Sequence, residues 1–224
     1  MPFSEFVSDY YNLNVSANIV AERSVQTEPA ILLLNVVQGQ NKEPFLVSGT
    51  CLFRFGINEK IELRTQINPS TGYYAEIEKP ERKNYYIPVC VGAKVALIYS
   101  KKHRPVVSII PDITFYAGEF SARCGAVVDL KYKDIFRFTT YNGVQSDSGI
   151  GYVYQYSHGI ILKADNSNFG IYCLASNKFP FLDDLLNFGF AVGGKQWQAT
   201  AGYGVHEDNG MLLFGCSIRT GKQN

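Results

Sequence analysis

The sequence predicts an all-β chain that closes into an antiparallel meander barrel of about 14–19 strands, of the membrane type, behind a short N-terminal helix. Three observations predict it. First, hydrophobic residues alternate with a period of two almost from end to end. In Ser121–Lys133, Ala122, Cys124, Ala126, Val128, Leu130 and Tyr132 share one face, and Arg123, Gly125, Val127, Asp129, Lys131 and Lys133 share the other. Successive side chains of a strand point to opposite faces, so this is a strand with one apolar and one wet side. Second, this run and several others exceed the usual strand of about 5–6 residues and reach the roughly 9–11 that a bilayer-crossing strand needs. Third, the chain carries 15 Tyr and 15 Phe, some of them (Tyr73, Tyr99, Tyr132, Tyr203) at strand ends, where an interfacial aromatic girdle would lie.

Each element follows from local pattern. Pro2–Leu13 reads as an amphipathic helix, with Phe3, Phe6, Val7, Tyr10 and Tyr11 at helical spacing. Residues 1–13 are expected to be that helix, and 14–224 a single barrel domain. Asn14–Arg23 is a weak first strand and Ala30–Gln38 a uniformly apolar second. Phe45–Ile57 puts Cys51, Phe53, Phe55 and Ile57 on one face. Lys60–Ile67 and Tyr73–Glu78 flank Asn68–Gly72, a turn by composition, and read as a hairpin. Val89–Tyr99 follows, then Val106–Gly118, in which Pro111 marks a bulge or edge. Ser121–Lys133 and Ile135–Tyr141 come next, with Asn142–Ser148 as a loop. Gly149–Ser157, Gly159–Asp165 and Phe169–Ser176 are strands, and Lys178–Leu186 is a loop or helical turn. Asn187–Val192 and Gln196–Val205 are joined at Gly193-Gly194-Lys195, and His206–Asn209 leads into the last strand, Gly210–Arg219.

Composition narrows the class. The chain is 46% hydrophobic, which disfavours disorder. Its 21 Lys and Arg against 20 Asp and Glu argue against a nucleic-acid binder, which needs a basic excess. The 5 Cys are scattered and their spacing suits neither a metal site nor a disulfide framework. No apolar run is long enough for a transmembrane helix, and the opening residues do not read as a secretory signal. Insertion without such a signal would point to a eukaryotic organelle.

The start, the short helix, the meander and the terminal hairpin together resemble the mitochondrial porin family, which includes the voltage-dependent anion channel and the protein-import pore. The last strand carries part of that family's sorting pattern: Asp208, Gly210 and Leu213 match, and Gly215 stands where a second hydrophobic belongs. The resemblance implies a mitochondrial, or other organellar, outer-membrane location. Chloroplast outer-envelope channels are further candidates of similar size. The chain is short for the nineteen strands of the family.

No constellation for catalysis stands out. His103, His158 and His206 fall in expected turns without metal spacing. Asp183 and Asp184 suit a turn cap, and the Gly-rich stretches lack a phosphate-cradle context. The chain therefore reads as a non-enzyme with no cofactor and no metal. Function would lie in the lumen, whose lining candidates are Lys60, Glu62, Arg64, Glu76, Glu78, Lys94, Arg123, Asp129, Lys131, Lys133, Arg137 and Lys163. Bases outnumber acids in this set, and basic rings favour anions. The expected function is passive diffusion of small, preferably anionic, metabolites or ions. The partners would be membrane lipid, those solutes and other subunits of a membrane complex. A non-conducting structural subunit and a soluble β-sandwich interaction module are the alternatives.

Overall fold

The computed structural model describes residues 17–35, 45–68, 70–72, 87–98, 105–116, 119–132, 135–147, 151–163, 169–179, 185–194, 196–206 and 209–221. The helix expected over 1–13 lies outside them, as do Tyr73–Glu78 and most connecting turns. The strands are β1 (Val25–Asn35), β2 (Phe45–Gly56), β3 (Ile61–Ile67), β4 (Ser70–Gly72), β5 (Val89–Ile98), β6 (Val106–Tyr116) and β7 (Glu119–Tyr132). They continue as β8 (Phe136–Asp147), β9 (Gly151–Lys163), β10 (Phe169–Phe179), β11 (Leu185–Gly193), β12 (Trp197–His206) and β13 (Asn209–Thr220).

Neighbouring strands in the sheet pair antiparallel, and β1 pairs with both β2 and β13 (Val25 opposite Phe55 and Thr220), which closes the sheet. Short β4 pairs only with β2, opposite Leu46–Ser48, and carries the line of β3 past Asn68. The ring therefore has twelve strand positions, not fourteen to nineteen. An even ring brings first and last strands together antiparallel, whereas the odd nineteen of the mitochondrial family cannot pair every neighbour that way.

Four sequence expectations differ from the structure, and the first three bear on the strand count. Ala17–Ser24 belongs to no strand; it runs through the lumen. Asn68–Gly72 is not a hairpin turn, because Ser70–Gly72 goes on pairing with β2 and β3 pairs with β5. The break expected around Ser157–Gly159 is absent: β9 is one strand, and both residues are small because they face inward. Nor is Asn142–Asp147, the described part of the loop expected over Asn142–Ser148, a loop. Asn142-Gly143 looks like a turn dipeptide, yet β8 runs straight through it. Gly143 is glycine because the Tyr141 hydroxyl occupies the space its Cβ would need.

Distribution of polarity decides the solvent. Gln26, Glu28, Glu62, Lys94, Ser108, Asn187 and Ser217 are fully buried, while Phe53, Leu63, Ile113, Phe188, Phe190 and Phe214 are exposed. Exposing one such side chain to water forgoes about 1.5–3 kcal/mol, so an outer wall built of them requires a lipid solvent. In β7, Ala122, Cys124, Ala126 and Leu130 face out and Gly125, Val127 and Asp129 face in, as the alternation predicts. Aromatic side chains ring both ends: Phe55, Tyr132, Phe169 and Trp197 at one, Phe115, Phe120, Tyr152 and Tyr203 at the other. A two-sheet sandwich with an apolar core is excluded by this single closed sheet with charges inside.

Apolar residues inside the ring have local causes. Ile110, Val127 and Tyr141 pack on Ala17, with Val106 against them, which explains why the inner face of Val106–Ile110 carries two apolar residues beside Ser108. Ala30 and Leu32 pack on Leu213. Leu213, the hydrophobic position of the sorting pattern, thus faces the lumen, and the lipid side of β13 is Leu212, Phe214 and Ile218. Pro111 faces outward in mid-β6 without a bulge there; the register shift falls at Ala96/Ile98 and turns Ile98 outward.

Candidate functional site

The candidate site is the lumen. Alternation brings Arg54, Glu62, Arg64, Lys94, Arg123, Asp129, Lys131 and Arg137 to the inner wall, together with Glu28, Asp112 and Arg219. Charges here are spaced by the pleat along a strand and by the ladder across strands. Opposite charges on neighbouring strands therefore meet directly.

Glu62 is the hub on one side. Arg54 Nε donates to Glu62 Oε1 and Arg54 Nη2 to Oε2, both at 2.8 Å, a bidentate fork. Arg54 Nη1 also reaches Glu28 at 3.2 Å, and Lys94 Nζ lies 3.6 Å from Glu62. Glu28 accepts from Gln26 Nε2 at 2.6 Å, and Gln26 Oε1 accepts from Arg219 at 2.8 Å. A second cluster joins Arg137, Thr139 and Asp129 on β7 and β8. The Arg137 Nη2 donates to Asp129, and Thr139 Oγ1 does so at 2.7 Å. A third, Arg123 with Asp112, stands further along the lumen at 2.6 Å.

The first two clusters hold a stretch of irregular backbone. Val20 N–H donates to Glu62 at 2.8 Å and Ala17 N–H donates to Asp129 at 2.9 Å. Arg54 Nη2 and Ser108 Oγ donate to the carbonyls of Asn18 and Ala17, at 2.7 and 2.6 Å. Residues Ala17–Ser24 are thus an inner segment laid along the β2–β8 wall. Their backbone groups, which lack a ladder, take the wall charges as partners. The segment turns into β1 at Arg23 (φ 57°), with Ser24 N–H donating to the Ala21 carbonyl at 3.0 Å. Gly56 lies against this turn, and the Ala21 carbonyl fills the place a Cβ would take.

On the opposite wall the lumen is lined by Tyr172, Leu174, Gln155, Ser157, Asn187 and Gln198. Tyr141 and Tyr172 lie flat over glycines: Tyr141 over Gly125 and Gly143, Tyr172 over Gly189 and Gly202. An aromatic ring can lie against the wall only where the adjacent inward positions present no side chain.

Among the twelve sequence candidates, Glu62, Arg64, Lys94, Arg123, Asp129, Lys131 and Arg137 face the lumen. Lys60 does not; it is exposed in the turn at the ring's end, where Asn58 Oδ1 accepts from its N–H at 2.8 Å. Lys163 ends β9 at the rim. Glu76, Glu78 and Lys133 lie outside the described residues. Sequence reasoning missed Arg54, Glu28, Asp112 and Arg219. Arg54 was legible as the polar alternate of Phe53 and Phe55; Glu28 was hidden by Pro29 and the misplaced first strand. His158, expected in a turn, is mid-β9 on the outer face, 6.2 Å from the Phe138 ring and 5.6 Å from that of Tyr156.

Comparison with known proteins places the fold. No family model and no curated protein matches the chain. Several solved structures do. The KdgM porin in complex with disordered oligogalacturonate is similar over 86% of this chain and 98% of its own, at 9% identity and a TM-score of 0.65. The NanC porin covers 87% and 98%, at 8% identity and 0.59. An outer membrane channel from Pseudomonas putida F1 covers 91% and 98%, at 9% identity and 0.55. The chain therefore has the closed antiparallel barrel fold of bacterial outer-membrane porins.

Proposed function

We propose that this chain is an outer-membrane β-barrel pore that passes small solutes by diffusion and prefers anions. The inverted wall carries the reading: an apolar exterior around a charged lumen. Inward bases (Arg54, Arg64, Lys94, Arg123, Lys131, Arg137, Arg219) outnumber inward acids (Glu28, Glu62, Asp112, Asp129). A basic excess at close quarters raises local anion concentration and repels cations. The inner segment narrows the path on the β2–β8 side. The solved porins and channel of the same fold support a role in solute passage.

A mitochondrial or other organellar outer membrane is the finer reading from sequence resemblance. The even ring and the bacterial neighbours favour a bacterial-type outer membrane instead, and fractionation of the source cell separates the two. The test of function is reconstitution into planar bilayers under a salt gradient. Conductance with a reversal potential on the anion side is expected. A barrel that inserts, stays silent and co-purifies with a stoichiometric assembly would favour the second reading, a non-conducting structural subunit, which the wall-pinned inner segment supports. Cation selectivity would overturn the anionic preference.

A further inference from the structure

The outer wall is not uniform. Among the described side chains it is built of aliphatic, aromatic and small residues, with scattered threonines. Yet β8 and β9 present Thr140, Asn142 and His158 outward. These are mid-strand positions: Asn142 lies near the middle of Phe136–Asp147, and His158 near that of Gly151–Lys163. They therefore sit near the depth of the bilayer midplane, where unsatisfied polar groups cost several kcal/mol each. Local bonds answer part of this. Tyr154 OH donates to Asn142 Oδ1 at 2.7 Å, and Asn142 Nδ2 donates to Thr140 Oγ1 at 3.3 Å. Among the described residues no further bond takes up the amide's second N–H or the imidazole nitrogens, and both side chains are exposed on the outer face.

Shape follows the same strip. On β9, Tyr152, Tyr154, Tyr156 and His158 form a ridge, the rings of Tyr154 and Tyr156 lying 6.0 Å apart. Two strands away, β7 presents Ala122, Cys124 and Ala126, a shallow groove. Asn142 lies between them, opposite Ala126 on one side and Tyr156 on the other. A two-fold axis on β8 carries the ridge of one copy over the groove of the next and brings Asn142 against its own mate. An amide is self-complementary, donating and accepting at once.

We propose that β7–β9 is a lateral interface on which a second copy of this chain docks about a two-fold axis along the membrane normal. Both walls of such an isologous contact are the same patch, which the ridge, amide and groove satisfy. At strand spacings of about 4.8 Å and rises of about 3.3 Å, the strip buries on the order of 1,000 Å² over two copies, about the threshold for a specific interface. Lipid tails could fill the groove but could not bond the amide. The proposal rests on the lipid-facing reading of the outer wall. A chain that fails to insert into vesicles fails that reading, whereas an inserted monomer fails this one.

The test uses the full chain in lipid vesicles, with its five cysteines replaced. Asn142→Cys in this background should form a disulfide-linked dimer under mild oxidation. Ile31→Cys on β1, diametrically across the ring, should not. In a second measurement, single-molecule photobleaching of the otherwise native chain should give two-step traces. Asn142→Leu with His158→Leu should weaken dimerisation at least tenfold while leaving the folded band on a heat-modifiability gel. Single-step traces for the native chain, equal cross-linking at residues 31 and 142, or no effect of the double substitution would each overturn the proposal.

Discussion

Replacing Glu62 by Gln keeps the side chain's shape and an acceptor oxygen but removes the charge on which the inner segment depends. Glu62 accepts from both ends of the Arg54 fork at 2.8 Å and from Val20 N–H at 2.8 Å, and it neutralises Lys94 at 3.6 Å. A hydrogen bond to a charged group contributes about 1.5–3 kcal/mol, a neutral one about 0.5–1.5. The Val20 anchor therefore loses on the order of 1 kcal/mol. Loosening Arg54, which also holds the Asn18 carbonyl, adds a comparable amount. A loss of one or two kcal/mol shifts the docked-to-released ratio of the segment roughly 5- to 30-fold. Amide hydrogen exchange by NMR in detergent micelles reads this directly. Val20 should exchange faster by that factor. Ala17, anchored on Asp129, should follow if the segment releases as a unit, and Val127 in β7 should not change. Unaltered protection of Val20 in a folded Glu62→Gln barrel would refute the pinning argument.

Other perturbations test the rest of the wall. Arg137→Leu removes an inward base beside Asp129, so the reversal potential under a salt gradient should move toward cations; no movement would remove Arg137 from the permeation path. Gly143→Val drives side-chain atoms into the Tyr141 ring and should destabilise the barrel by about 1–3 kcal/mol, read as a lower urea midpoint for refolding into vesicles. Phe188→Arg sets a guanidinium on the mid-wall outer face and should cost about 2–4 kcal/mol of folding free energy in lipid. Leu213→Asn, on the lumen side of β13, should cost less; the reverse order would invert the assignment of faces.

Much of the architecture was legible because a strand has only two faces. In β7 and β12 the alternation of apolar with polar or glycine residues marked the outward and inward side chains one by one, and it marked Glu62, Lys94 and Asp129 as inward charges. It failed where an inward residue was chosen by a neighbour rather than by solvent. Gly143 and Gly159 read as turn or break signals, yet each is an inward position within a continuous strand, and Tyr141 explains Gly143. Ile110 and Leu213 are apolar although they face inward, because each packs on another part of the interior. The period of two is local and survives in any sequence that must separate two solvents, so the amino-acid sequence alone determined that this chain is a sheet with one apolar and one wet face. Ring size, the closure of β1 on β13 and the seating of Ala17–Ser24 on Glu62 and Asp129 depend on residues far apart in the chain. Only the tertiary structure decided them, because partners 42 and 112 positions away leave no periodic trace in either segment.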